Sequence, residues 1–211
     1  MTDFDALFNV DYWDQRYSEA GPVWSGAPNP VLVAEVAPLT PGTALEVGCG
    51  EGADAIWLAG SGWQVTGVDF SAQALARAAE RVPASLAGRL RWERADICDW
   101  QPDDGPRYDL VTTSYLHFSG ALRRRVFATL ATRVAPGGHL LIVGHHPSDL
   151  DTAMPRPPEP DLFYTADELA QDLPAGDWEV RTRAARPRAA TTPDGTPVTI
   201  HDTVLTARRT R

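Results

Sequence analysis

What most constrains this chain is an alternation of two hydrophobic periods that repeats from residue 31 to residue 146. Asn29-Pro30 offers a cap and a proline suited to a first helical turn, so VLVAEVA (31–37) predicts a helix. TALEVGC (43–49) is a short β run, and ADAIWLAG (53–60) returns to helical spacing. WQVTGVDF (63–70) predicts a strand ending at Asp69, after which Ser71 caps the helix AQALARAAERV (72–82). LRWERADI (90–97) is a weaker strand closed by the turn-rich WQPDDGPR (100–107). YDLVTTSY (108–115) and HLLIVGHH (139–146) are strands, separated by the helix ALRRRVFATLATRVA (121–135) and the Pro136-Gly137-Gly138 turn. Such an alternation implies an α/β fold with a parallel sheet covered on both faces.

The C-terminal third departs from it. PSDLDTAMPRPPEPDLF (147–163) is rich in proline and acids, and reads as a surface loop beside the site. Thr165 and Glu168 form a capping box for ADELAQDL (166–173). DWEVRTRAARP (177–187) and TPVTIHDTVLTARR (196–209) are β runs with Asp194-Gly195 between them and no helix, so they should pair antiparallel. With 211 residues and no composition break, one domain is expected.

Charge and composition narrow the partners. A formal net charge of -9 opposes general affinity for nucleic acid and favours a small-molecule partner. No apolar run approaches the roughly 20 residues a bilayer span needs, and the acidic start MTDFDALFNV is unlike a signal peptide; a cytoplasmic protein with no membrane partner is expected. Acids crowd the first stretch (Asp3, Asp5, Asp11, Asp14, Glu19) and arginines the last, most simply as two solvated faces. Cys49 and Cys98 are too few for a disulfide scaffold, and no Cys/His cluster suggests a metal. The sequence contains no lysine, which removes a Schiff-base mechanism and a P-loop lysine together.

The site should lie outside the carboxyl ends of the strands, where strand order reverses. Gly48, Gly50 and Gly52 follow the first strand and belong there. Gly48, Gly50 and Ala53 can be forced onto a dinucleotide G-x-G-x-x-A pattern, and an Asp69 at the end of the second strand suits ribose hydroxyls in either scheme. Glu46, two residues ahead of the first glycine, would repel a pyrophosphate but suits a cationic amine or an ordered water.

EVGCGEG, VDFS, the acid of RADI, YDLVTTSYLHF and APGGHLLIVGHH, in this order and spacing, resemble the class I S-adenosylmethionine-dependent methyltransferases across nearly the whole chain. The resemblance implies a Rossmann-like, doubly wound, seven-stranded sheet, mostly parallel with an antiparallel C-terminal strand. It divides the single domain into an N-terminal lid and helices (1–40), a cofactor-binding core (41–146), and a substrate-side loop, helix and β-hairpin (147–211). The segment YWDQRYSEAGPVWSGAPNP is similar to the one that folds over the cofactor in the thiopurine and tellurite-resistance methyltransferase group.

Residue by residue, the resemblance gives Gly48, Gly50 and Gly52 the methionyl part of S-adenosylmethionine, with Glu46 on its amino group or a water. Asp69 would accept from both ribose hydroxyls, Phe70 would pack on the adenine, and Asp96 with Ile97 would meet the adenine amino group. Thr113 would face the sulfonium, and Trp13 and Tyr17, one helical turn apart, would cover it together with Trp24. His117 and His145 are the base candidates at the ends of the fourth and fifth strands. The expected reaction is in-line methyl transfer to a small thiol, phenol or metalloid oxyanion, leaving S-adenosylhomocysteine. A nicotinamide-dependent oxidoreductase and a non-catalytic cofactor-binding domain are the alternatives; oligomeric state is not encoded legibly.

Overall fold

The computed structural model describes residues 9–19, 21, 23–102 and 105–211. The earliest part of the expected lid, with Asp3 and Asp5, lies outside the described residues, as do Asp103 and Asp104 of the predicted turn.

The described residues build a seven-stranded sheet in the order β3-β2-β1-β4-β5-β7-β6. Its strands are β1 Thr43–Val47, β2 Gln64–Asp69, β3 Leu90–Arg94, β4 Tyr108–Ser114, β5 Val134–His145, β6 Trp178–Thr191 and β7 Pro197–Arg209. The first five run parallel, while β7 pairs antiparallel with both β5 and β6. The expected α/β sheet with an antiparallel C-terminal strand is therefore the observed one. The strand β6 runs past its sequence pattern to Thr191, while β7 keeps to its own from Pro197, and the two are joined by a turn in which the Thr192 N–H donates to Thr196 O. At the other end of its range, the strand pattern of β5 is extended backward through the Pro136-Gly137-Gly138 turn, with a register shift opposite Tyr108–Leu110.

The helices are α1 Val10–Ser18, α2 Pro30–Val36, α3 Ala53–Gly60, α4 Ala72–Glu80, α5 Gly120–Thr132 and α6 Ala166–Gln171. Caps set several starts: the Asn29 side chain accepts from Val31 N–H with Pro30 in the first turn, Ser71 accepts from Ala74 N–H, and Thr165 with Glu168 forms the expected capping box. Among the described residues, no helix is long and apolar enough to cross a membrane.

Successive strand residues face opposite layers, as the period of two requires. Leu45, Val47, Leu140 and Ile142 join Val126, Phe127 and Leu130 of α5 in one core layer. Ala44, Leu141 and Val143 join Leu32 of α2 and Leu58 of α3 in the other. This is why the strands carry near-continuous apolar runs rather than an alternating pattern.

One contact in the first layer fixes the rim of the site. Tyr164, fully buried, crosses β5 so closely that a Cβ on Gly144 would lie 2.3 Å from its hydroxyl and 2.5 Å from Cζ. Its hydroxyl donates to the Leu116 carbonyl just past β4 at 3.3 Å, while Arg123 lies over its ring and Phe127 meets it edge-on. Because the ring cannot retreat, Gly144→Ala is expected to destabilise the fold by about 1–3 kcal/mol through overpacking. In a chain of this length that is a fall of several degrees in melting temperature. Pairing it with Tyr164→Leu should lose less than the sum of the two changes in thermal unfolding.

The segment after β5 corrects the expectation of a polar surface loop. It forms two 3-10 turns, Pro147–Asp151 and Pro160–Leu162, and sends Asp149 and Leu162 inward. Asp149 is completely buried, which is possible because Arg156 donates to it at 2.7 Å and the His201 N–H at 2.8 Å. Its prolines and acids are thus partly structural.

Candidate active site

The sheet order reverses between β1 and β4, and the segments leaving their carboxyl ends form the crevice that this topology offers to a ligand. After β1, Gly48, Gly50 and Gly52 have φ of 72°, 51° and 77°, the left-handed region that side chains avoid. A Cβ on Gly52 would also collide with Trp92 at 2.6 Å, and one on Gly50 would lie 2.9 Å from the Tyr17 hydroxyl.

The direction of the loop amides decides what it can hold. Gly48 and Cys49 donate to Val68 O at 2.9 and 3.0 Å, Gly50 to the Asp69 carboxylate at 2.8 Å, and Gly52 to Cys49 O at 2.8 Å. These N–H groups face the protein, so they cannot cradle a pyrophosphate as a dinucleotide loop does. The electrostatics agree: Glu46, Asp54 and Asp69 crowd the same turn, all nearly buried. Burial, followed by the charges of Asp54 and Asp69, holds the Glu46 carboxyl well above the ordinary carboxylate range, against a weaker opposing bond from Ala55 N–H. Asp54 and Asp69 are raised by burial as well. Glu46 Oε2 is buried with no protein partner, which leaves an acceptor for a cationic amine. A pocket with a bare backbone, an unsatisfied acid and its glycine amides turned inward fits the aminoacyl end of S-adenosylmethionine better than a phosphate.

Residues 44–138 match the family described as methyltransferase domain. Over these residues the chain carries a methyltransferase domain. Among curated proteins, this methyltransferase domain is similar to ribosomal RNA small subunit methyltransferase C of Alcanivorax borkumensis, 36% identical over 50% of this chain and 33% of that protein. It is also similar to a probable thiol methyltransferase 2 of Arabidopsis thaliana, 27% identical over 61% of this chain and 59% of the relative. The match thus spans about a third of the first protein and just over half of the second. Among solved structures, one bearing on conversion of a disulfide bond into a thioacetal group during echinomycin biosynthesis superposes with a TM-score of 0.72 at 28% identity, covering 96% of this chain and 90% of the other. TehB from Haemophilus influenzae shares the fold, with a TM-score of 0.70 at 19% identity over 95% of this chain and 66% of that one.

In the methyltransferase domain and the segment before it, several expected site residues converge. Trp13 stands 5.8 Å from Tyr17 and 6.1 Å from Trp24 between ring centroids, and the Trp24 indole donates to the Tyr17 hydroxyl at 3.0 Å. Tyr17 is buried and reaches the Gly50 backbone, so α1 brings the aromatic group onto the glycine loop. Burial above all lifts the Tyr17 hydroxyl to about 12, so it stays protonated. Asp69 accepts from Gly50 N–H with one oxygen and from Ser71 N–H at 2.9 Å with the other. Each oxygen keeps further lone-pair capacity for a diol.

Phe70 is half-buried beside Asp69. Asp96 caps the turn Ile97–Asp99 by accepting from Cys98 N–H at 2.8 Å, and Ile97 is buried in the core layer of α5. Thr113 is fully buried with its hydroxyl unpartnered, whereas the next residue, Ser114, donates to Asp54 at 3.1 Å. Asn29 joins that pair through its N–H to Asp54 at 2.6 Å and its amide to Ser114 at 3.4 Å. Sequence reasoning read Asn29 only as a helix cap and passed over Asp54 and Ser114. A carboxylate in the first turn of a helix and a hydroxyl at a strand end are ordinary there, and only folding joins them.

His117 and His145 stack on each other at 5.0 Å with an interplanar angle of 14°. Their roles differ. His117 Nδ1–H donates to Leu162 O at 2.7 Å and its Nε2 accepts the long His145 N–H bond at 3.4 Å, so both nitrogens serve the backbone. Burial depresses His117 to about 4. His145, flanked also by the Tyr115 ring at 4.7 Å, is driven to about 2 by burial and then by His117, Arg156 and Arg188. Tyr115, at φ 57°, is the one non-glycine residue with positive φ among those described, and its hydroxyl donates to Asp202, which Arg188 holds at 3.0 Å. The rim formed by β4 and β5 is therefore aromatic and neutral.

Proposed function

We propose that this protein transfers the methyl group of S-adenosylmethionine to a small-molecule acceptor that arrives already nucleophilic, a thiol or a comparably soft anion. The observation that carries this reading is the lack of a strong base at the rim. His117 spends both nitrogens on the backbone, His145 is too weak a base to hold a proton near neutrality, and Tyr115 donates its proton to Asp202. Without a ready proton acceptor, an acceptor of low pKa is favoured over a phenol or an amine. Likeness to a thiol methyltransferase and to a structure from disulfide-to-thioacetal chemistry supports the choice of sulfur.

When bound, the cofactor supplies an electrophilic methyl group on a sulfonium. The chain's part is to hold and exclude water: Glu46 would take the amino group, the glycines would admit the methionyl chain, Asp69 would take the ribose hydroxyls, and Asp96, Ile97 and Phe70 would flank the adenine. Trp13, Tyr17 and Trp24 would close the side of the glycine loop, where their faces suit a cation. Thr113 would act from the end of β4 beneath the reacting centre. The acceptor would be confined by Tyr115, His145 and the turn at 160–162.

The ribosomal RNA relative makes RNA the acceptor to test against, although the net charge of -9 opposes it. Calorimetric titration should show micromolar S-adenosylhomocysteine binding and none for NADH; the reverse would sink the cofactor assignment. Methyl transfer to a thiol should rise with pH until the thiol ionises, near its own pKa of about 8.5, and then level. His145→Phe should keep that profile and lose less than about tenfold in rate, since no proton passes through it. A bell-shaped profile that vanishes in His145→Phe would return the base role to this residue.

A further inference from the structure

Among the described residues between α1 and α2, Trp24 is 52% exposed, and neighbouring Gly21 and Ser25 are exposed too. Two charged side chains hold this stretch of backbone. Glu51, between the second and third loop glycines, is 3% exposed and accepts from Val23 N–H at 3.3 Å and from Trp24 N–H at 3.2 Å. Arg77 of α4 donates to Glu51 at 2.8 Å, and also to Gly21 O at 2.7 Å and Glu19 O at 2.5 Å. Arg81 adds a longer ion pair at 3.8 Å. Burial disfavours the Glu51 charge, but the bonds from Arg77, Trp24 and Val23 outweigh it and hold its carboxyl below the ordinary range. Asp14 of α1 and the Ser71 hydroxyl form a further bond at the start of α4.

We propose that Glu51 and Arg77 are positioning residues that latch this segment over the glycine loop and thereby set the rate at which cofactor and product exchange. The latch joins the loop after β1, helix α4 and four backbone groups of the covering segment, while Tyr17 and Trp24 sit over Gly50. With the segment in this position the Gly50 side of the pocket is covered, so a ligand bound there leaves only after these bonds open. Charge-assisted bonds suit such a device, being strong when closed and replaceable by water when open. Both residues act through the backbone they hold, and neither contacts the reacting atoms.

The inference rests on the cofactor assignment above, and its test separates the two. Dissociation of S-adenosylhomocysteine would be followed by stopped-flow tryptophan fluorescence for the native chain, Glu51→Gln and Arg77→Lys. Hydrogen exchange at the Val23 and Trp24 amides would be measured in the ligand-free proteins. Glu51→Gln should release the ligand about tenfold faster or more and expose both amides. Arg77→Lys keeps the ion pair but cannot span the Glu19 and Gly21 carbonyls, so it should fall between the two. If the native chain binds the ligand while both variants release it at the native rate with unchanged amide protection, the latch is overturned. If the native chain binds none, the cofactor assignment falls and the latch with it.

Discussion

Replacing Glu46 by glutamine should weaken S-adenosylmethionine binding roughly 10- to 100-fold, the equivalent of losing one hydrogen bond to a charged group. The same change should make the ligand-free protein more stable at neutral pH. The two effects have one origin. Burial and the charges of Asp54 and Asp69 raise the Glu46 carboxyl far above its value of about 4.3 in an unfolded chain. A group whose folded pKa is raised holds a proton that the unfolded chain releases, so its contribution to stability falls as pH rises from about 4.3 towards the raised value. Glutamine has no proton to lose, and its advantage in melting temperature should therefore grow from acid to neutral pH. Ligand binding runs the opposite way: an ammonium group prefers the ionised carboxyl, so native affinity should rise with pH until Glu46 ionises unaided. Calorimetry across this range should show the slope in the native chain and its absence in Glu46→Gln. Equal affinity in the two proteins at every pH would remove Glu46 from the cofactor site.

The second large effect is expected from Arg156→Met. Asp149 is wholly buried, and Arg156 grips one of its oxygens through Nε at 3.2 Å and Nη2 at 2.7 Å. Without Arg156 the carboxylate keeps the His201 N–H but faces a desolvated charge without its counter-ion, a loss of about 3–5 kcal/mol. Unfolding in denaturant should show this at neutral pH. Arg156→Lys, which keeps the charge, should recover part of the loss; a deficit equal to that of the methionine variant would place the loss in packing instead of charge. The turn that Asp149 anchors follows directly on His145, so the variant should also disturb the acceptor side of the pocket more than cofactor affinity.

Legibility of the fold and of the site differed for physical reasons. Helix starts were visible because caps are local: Asn29-Pro30, Ser71 and the Thr165–Glu168 box each satisfy backbone N–H groups within a few residues. The parallel sheet was visible because strands buried on both faces need continuous apolar runs. The glycine loop was visible because three left-handed positions leave little choice of residue. The stretch at 147–163 was misread because its polarity is compensated at a distance, by Arg156 and by the backbone of His201 on β7. Glu51 carries no local signal of its role, because Val23, Trp24 and Arg77 come to it only in the fold.

The sequence by itself determined the order of elements, the glycine turn at the end of β1, the acids placed around it and the antiparallel close of the sheet. These depend on period, capping and backbone freedom, all of which act over a few residues. Only the tertiary structure decided that the loop amides turn inward to Val68 and Asp69, that Glu46 is left with an unsatisfied oxygen, and that His117 and His145 stack as neutral rings. Those properties depend on burial and on partners far away in the chain, since a side chain's charge state follows from what it is packed against once water has been excluded.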